Sequence, residues 1–405
     1  MTISFDPASL QPKGAAHGQV AVAEAAGRAL VDAGVAVVNC VPATGAASIF
    51  EAWKRLSGQE TPYHYHEEVA MGMAMGVSLT GRRSAVVIKA HGFAKAGNAM
   101  VDAWTFGAEG GVVVIVAADR EGRSSDTIFD PDSLVAGTKL PFLRLGPDEV
   151  YGGIIDAFIR SESMGMPVVI LVEDDDLAGY IPAPPVSSRP VRPVVVPARD
   201  PLRHTLFPGN SNYPHEVALA KLAGRDWRAI PRPELPLIPD GLPEKFHAAI
   251  RAYMPVFDLL KGFRDRIDFI MGDTGTSSLF VCPPYNIVDA TTYYGGSIPM
   301  AAGAISAGAR KVWAIIGDWT FTAAGHLGLH EAFHQRLPVK VLIFHNRAAV
   351  ATGGQLLDEA LFERLLDGYR EFVTRVDVGD NAKLPDTLQS AQGSGRMEIV
   401  VVDFV

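Results

Sequence analysis

The residues best suited to chemistry lie in the second half of the sequence. An apolar run, Val312–Ile316, leads directly into Gly317-Asp318-Trp319-Thr320-Phe321. A second apolar run, Val339–His345, ends at Asn346, with 26 residues separating the Gly-Asp-Trp triplet from that asparagine. An aspartate at the carboxyl end of a parallel strand faces the crevice where α/β proteins bind ligands. A helix starting just after it offers free N–H groups to a phosphate. A carboxylate and an amide oxygen on neighbouring strand ends, with a backbone carbonyl, suit Mg²⁺ holding a diphosphate. Singly, Asp318 reads as a helix cap and Asn346 as a turn residue; the pairing favours a metal site.

Two other groups compete for attention. His330-Glu331-Ala332-Phe333-His334 matches H-E-x-x-H, which on a helix puts two histidines on one face, as in zinc proteases. His326 lies one turn earlier. No third ligand follows at a protease spacing, so zinc hydrolysis is the minor alternative. The expectation is a partly exposed histidine stripe with Leu329 and Phe333 turned inward. In the first half, Tyr63-His64-Tyr65-His66-Glu67-Glu68 enters a helical pattern. An acidic pair in a first turn complements the helix dipole. That describes Glu68 well, but explains less of the aromatic-flanked histidines leading to Glu67. Lys89-Ala90-His91-Gly92 follows another apolar run. A lone histidine at a strand end is more often structural than catalytic, so His91 gains interest only from Glu67 nearby.

Short apolar runs without polar alternation must position these residues. They are Val35–Cys40, Ala85–Ile88, Val112–Ala117 and Val168–Val172, then Ile267–Met271, Asn286–Asp289, Val312–Ile316, Val339–His345 and Glu398–Val402. Such runs predict strands buried on both faces, as in parallel sheets. Helical patterns lie between them, Val20–Ala33 being the clearest, with Gly34 as its stop. Residues 182–201 hold seven prolines, and a second cluster spans Pro231 to Pro243. Neither can be a regular helix or a central strand. The expected organisation is an α/β domain over 15–180, a proline-rich linker over 181–245 with a short helix at Glu216–Ala223, and a second α/β domain over 246–405. Each would be a parallel sheet flanked by helices. The segment Arg203–Asn210 is expected to wrap between domains, with reach over an active site as the alternative.

Composition narrows the function. The formal net charge is −9, which argues against a nucleic-acid partner. Two cysteines, Cys40 and Cys282, exclude a disulfide framework and a Cys-ligated iron–sulfur cluster within this chain. No signal peptide opens the sequence and no apolar run approaches ~20 residues. The expectation is a soluble cytoplasmic protein that spans no membrane.

The Gly-Asp…Asn spacing resembles the fingerprint of thiamine-diphosphate (ThDP) enzymes. Trp319 and Arg347 depart from its usual residues. Those departures, with Thr320-Phe321 and Ala351-Thr352-Gly353-Gly354-Gln355, are similar to the indolepyruvate:ferredoxin oxidoreductase α chain. Gly295-Gly296-Ser297-Ile298-Pro299 resembles the Gly-Ser-Ile segment of ThDP decarboxylases. A glutamate nine residues before Gly76, which is Glu67, resembles the pyrimidine-contacting glutamate of the family. His91, seven residues before the Asn98 of Gly97-Asn98-Ala99-Met100, is similar to benzoylformate decarboxylase. Val41-Pro42-Ala43-Thr44-Gly45 resembles a turn of sulfopyruvate and phosphonopyruvate decarboxylases, which brings Thr44 to the substrate.

The resemblance implies that Asp318, Asn346 and the carbonyl of Ala348 hold Mg²⁺. It implies that Gly317, Trp319, Thr320 and Ser297 line the cofactor, and that Gly296 offers its carbonyl to the pyrimidine amine. Ile298 would wedge between the cofactor rings. Glu67 would share a proton with the pyrimidine, and His91, aided by His64 or His66, would move protons or hold the substrate carboxylate. The implied activity is a non-oxidative decarboxylase or C–C lyase acting on a 2-oxo acid. The chain reaches Val405 without a cysteine-rich tail, so a ThDP-binding subunit of a 2-oxo acid oxidoreductase is the runner-up. A homodimer or homotetramer with the site between subunits is also implied.

Overall fold

A computed structural model describes residues 17–185 and 189–404. The expected domain start at residue 15, part of the linker, and Val405 lie outside the described residues. Two parallel sheets dominate. The first contains β1 (Val37–Cys40), β2 (Ser84–Lys89), β3 (Val112–Ala118), β4 (Phe142–Arg144) and β5 (Val168–Glu173), in spatial order β1-β2-β3-β5-β4. The second contains β6 (Phe269–Gly272), β7 (Ala290–Thr291), β8 (Val312–Gly317), β9 (Lys340–His345), β10 (Val373–Asp377) and β11 (Glu398–Asp403), in order β10-β11-β9-β8-β6-β7. The central strands are almost wholly buried Val, Ile and Ala, as the apolar runs predict.

The expected strand Asn286–Asp289 is displaced to Ala290–Thr291. Asn286 sits at φ 47°, in the left-handed region, and interrupts extension. The edge strands β4 and β10 carry polar residues on an exposed face, so no continuous apolar run marks them. The clearest helical pattern is α1 (Val22–Asp32), and α3 (Gly97–Phe106) lies between β2 and β3. The linker helix is α4 (Asn212–Leu222), four residues earlier at its start than expected.

Two helices lie between the sheets: α2 (Glu67–Leu79) and α5 (Ser297–Ser306). Both are buried nearly all round, so neither shows amphipathic spacing. They cross with backbones in contact. A Cβ at Gly76 would lie 2.0 Å from the Met300 carbonyl oxygen, and one at Gly303 would lie 2.0 Å from that of Met73. The resulting core mixes Met71, Met75, Ile88 and Val116 with Met300, Ile316, Ile343 and Val401. Each sheet covers a separate core on its far face, around Phe50 and Trp53 in the first and Phe257 and Trp313 in the second. No helix among the described residues is long and apolar enough to cross a membrane.

Candidate cofactor site

The strands β6, β8 and β9 are neighbours, and their carboxyl ends open on one cavity of about 450 Å³. The β6 end delivers Thr274–Ser277, the β8 end Gly317–Thr320, and the β9 end Asn346 and Ala348. Crevices at such strand ends are where α/β sheets bind ligands. The sequence therefore brings Gly317, Asp318, Trp319, Thr320, Asn346 and Ala348 to a single cavity.

Asp318 is 1% exposed and held on both oxygens. Its Oδ2 accepts from His345 Nδ1 at 3.0 Å and from the Arg347 N–H at 2.6 Å. Its Oδ1 accepts from the Trp319 N–H at 2.6 Å. The far nitrogen of His345 lies 3.1 Å from Glu359 Oε2, and the ring stacks on Phe362. Asn346 donates from its amide to the Tyr253 hydroxyl at 2.6 Å, and its Oδ1 accepts from the Ala348 N–H at 3.1 Å. Burial, then the nearby Asp318 charge, outweigh the Asn346 bond and push the Tyr253 hydroxyl up to about 12. A π-helical turn, Phe321–Gly325, follows Asp318. Such turns are frequent at functional sites.

This set fits a hard divalent cation and a diphosphate. Asp318 Oδ1 and Asn346 Oδ1 each make one hydrogen bond, so each keeps a lone pair for a cation. The donors are all oxygen, the preference of Mg²⁺. The Thr276 Oγ1 on the cavity wall is buried without a hydrogen-bond partner, a group for a bound phosphate oxygen to satisfy.

None of the three residues Gly296, Ser297 and Ile298 lies on the wall of this cavity. Ile298 is fully buried in the core between the sheets and does not line the cavity. The Gly296 carbonyl accepts from the Met300 N–H at 3.0 Å and keeps its second lone pair. The helix begins at Ser297, which is buried within it, and turns all three away from the cavity wall. The bulky residue on the wall is Tyr294, bonded to Thr320. Asp273 fixes this loop, accepting from the N–H groups of Gly295 at 3.0 Å and Ser297 at 3.3 Å. Burial outweighs those bonds and raises its carboxyl to about 6.

The first-half candidates gather around the start of α2. Glu67 packs on Gly92, where a Cβ would come within 2.8 Å of the Glu67 side chain, and pairs with Lys95 at 3.1 Å. His91, next to Gly92, contacts Thr127 Oγ1 at 3.2 Å and meets the Phe129 ring edge-on. Glu67 and His91 are thus neighbours. His66 is half-buried; burial, then Lys95, hold its imidazole below the usual range. Glu68 accepts from Asn98 and the Ala99 N–H, but burial outweighs them and raises its carboxyl. Thr44 is exposed in the loop after β1. His64 is 1% exposed and lies against Glu331. None of these residues lines the Asp318 cavity within one chain.

The H-E-x-x-H helix, α6 (His326–His334), does not gather three metal donors among the described residues. Glu331 is buried while His330 and His334 are exposed. Phe333 is 43% exposed against the rings of Tyr369 and Phe372, not turned inward as expected. The Arg203–Asn210 segment contacts the first domain, the β7 edge and the cavity rim. His204 bonds Phe106 O and Glu109, while Leu206 and Thr291 pair beside β7. Pro208 then reaches the cavity. Sequence reasoning missed Tyr253, Asp273, Thr276, Tyr294 and Lys245. Only Asp273 and Thr276 carried a signal, being polar residues just after an apolar strand.

Comparison with known proteins bears on both sheets. Residues 20–134 match the thiamine pyrophosphate enzyme N-terminal TPP binding domain. Residues 273–401 match the thiamine pyrophosphate enzyme C-terminal TPP binding domain. The chain is 30% identical over 232 residues to indolepyruvate oxidoreductase subunit IorA of Methanothermobacter thermautotrophicus, covering 54% of this chain and 35% of that protein. It is 29% identical over 157 residues to the same subunit of Archaeoglobus fulgidus, covering 36% and 25%. The match therefore spans about a third or less of these relatives' length. The thiamine diphosphate-dependent 4-hydroxybenzoylformate decarboxylase of Rhodococcus jostii has the same fold, with a TM-score of 0.61 at 17% identity, covering 95% of this chain and 99% of that one. Matched in order by both of its TPP-binding domains, the chain belongs to the thiamine pyrophosphate enzymes.

Proposed function

We propose that this protein is a ThDP- and Mg²⁺-dependent non-oxidative decarboxylase or carbon–carbon lyase acting on a 2-oxo acid. The observation that carries the reading is the cavity where Asp318, Asn346 and Ala348 meet at adjacent strand ends. On this reading residues 15–180 and 246–405 are the two cofactor-binding domains, joined by 181–245. Asp318, Asn346 and the Ala348 carbonyl hold the cation, and Thr276 and the N–H groups of the β6 and β8 loops meet the diphosphate. Tyr294, not Ile298, stands where it can support the cofactor rings. When bound, ThDP supplies the electron sink that lets a 2-oxo acid lose CO₂.

Glu67 would be the residue that meets the pyrimidine ring of the bound cofactor; in this chain it pairs with Lys95 at 3.1 Å. His91 would hold the substrate carboxylate or return a proton to the product. Because Glu67 lies off the Asp318 cavity in its own chain, two copies complete each site, Glu67 of one facing Asp318 of the other. A homodimer is the minimal assembly.

A second reading has one observation in its favour, the likeness to indolepyruvate oxidoreductase subunits. It makes this chain the ThDP-binding part of a 2-oxo acid oxidoreductase. A panel of 2-oxo acids assayed with ThDP and Mg²⁺ separates the two. CO₂ release with an aldehyde or ketol product and no electron acceptor is expected. Turnover only with ferredoxin or a dye would replace the first reading by the second.

A further inference from the structure

The H-E-x-x-H motif has a use that is not zinc binding. Glu331 is 1% exposed, and its carboxylate receives contacts from three sides. Gln335 Nε2 donates to Oε1 at 2.8 Å, the Tyr65 N–H donates to Oε2 at 3.3 Å, and His64 Nδ1 lies 3.2 Å from Oε1. The His64 contact is close but poorly aligned. Burial alone would raise the Glu331 carboxyl, but His64, Gln335 and Tyr65 outweigh it and hold it low. The two histidines of the motif stand outside this pair. His330 and His334 meet the Tyr65 ring edge-on, with centroids 5.3 and 4.9 Å away. All three motif side chains therefore grip residues 64–65.

What they grip leads straight to Glu67. The His64 N–H donates to Cys40 O at 2.8 Å, which ties the loop to the end of β1. His66 is the cap of α2, and Glu67 is its first residue. In the same first turn, the Tyr293 hydroxyl donates to Glu68 O at 2.9 Å. A buried carboxylate is costly unless paired. Here the pairing spans 267 residues of sequence between His64 and Glu331 and fixes the entry to the helix that carries Glu67.

We propose that Glu331 is a positioning residue for Glu67, clamping the His64–His66 loop so that the Glu67 carboxyl is presented at a fixed place and angle. The proposal rests on the reading of Glu67 given above. Glu331→Gln keeps the size and the acceptor for the Tyr65 N–H but loses the charge opposite His64. His64→Gln loosens the same clamp from the other side and serves if the first variant does not fold.

Three measurements are combined. The first is backbone hydrogen exchange of residues 62–70 in cofactor-free protein, which should quicken in both variants by ~10-fold or more while exchange in β8 and β9 is unchanged. The second is C2-proton exchange of bound ThDP, which should slow by ~10-fold or more with ThDP affinity within about threefold of wild type. The third is the double variant Glu67→Gln/Glu331→Gln, which should exchange no more slowly than Glu67→Gln alone, because coupled residues are non-additive. Unchanged protection of residues 62–70 overturns the clamp, and so does additivity in the double variant. A wild-type C2 exchange rate in Glu67→Gln instead removes the role of Glu67, while the backbone measurement still decides the clamp.

Discussion

The replacement of Asp318 is most informative when the side chain is chosen from its hydrogen bonds. Its carboxylate serves three donors: His345 Nδ1, the Arg347 N–H and the Trp319 N–H. Alanine would leave all three without an acceptor in a buried place. At roughly 1–3 kcal/mol for each unsatisfied group, the loss approaches the ~5–15 kcal/mol stability of a whole domain. Lost binding in Asp318→Ala would then be confounded with lost structure. Asp318→Asn keeps one oxygen, which can still accept from His345 and Arg347, and turns an amide toward Trp319. One donor is stranded, at a cost of roughly 1–3 kcal/mol. The charge that a divalent cation requires is gone. Even partners behind a metal ligand are worth ~10–100-fold in affinity, so loss of the ligand itself should cost at least ~100-fold. The assay is a calorimetric titration of ThDP with Mg²⁺ in excess, alongside thermal melting of cofactor-free protein. The expected result is a folded variant, melting a few degrees lower, with ThDP binding weakened by that factor. A folded Asp318→Asn protein binding ThDP as tightly as wild type would refute the metal-site argument.

Two further substitutions test the frame around the site. Gly76→Ala places a methyl 2.0 Å from the Met300 carbonyl oxygen, so α2 and α5 must part by about 1 Å. Overpacking of this kind costs ~1–3 kcal/mol. Melting should fall by several degrees, and Gly303→Ala at the same crossing should add less than its own effect; an unchanged melting curve would show that the crossing is not tight. Tyr294→Ala should weaken ThDP binding with little loss of stability, whereas Ile298→Ala should cost ~2–5 kcal/mol of stability and leave affinity nearly intact. The opposite pattern would restore Ile298 as the residue against the cofactor.

The central strands and the Asp318–Asn346 pair were legible because each is a local signal. A strand buried on both faces writes itself as a run of Val, Ile and Ala, and a strand end is marked by the first polar residue. Glu67 and His91 were legible for the same reason, each standing at an element's start or end. What escaped depended on where an element begins or on contacts far apart in sequence. Ile298 and Tyr294 are both bulky and four residues apart; the start of α5 at Ser297 decides which one is buried in the core. His64 reads as a catalytic candidate until Glu331, 267 positions later, is seen beside it. Tyr253 lies mid-helix in an ordinary apolar pattern, and only the fold brings its hydroxyl to Asn346. Exposed edge strands such as Val373–Asp377 carry too little apolar signal to separate from a loop.

The crossing of α2 and α5 also sets a timetable. α2, with Met71, Met73 and Met75 buried in the folded chain, has its partner in a helix that ends about 230 residues later. At synthesis rates of ~5–20 residues per second, that interval is roughly 10–45 seconds. Throughout it the first sheet can form and cover its far side, yet a strip of methionine and alanine stays open to water and to other nascent chains. The glycines that let the helices meet backbone to backbone leave that strip flat, with no side chain to shield it. The yield of folded protein should therefore depend on how quickly the second half arrives.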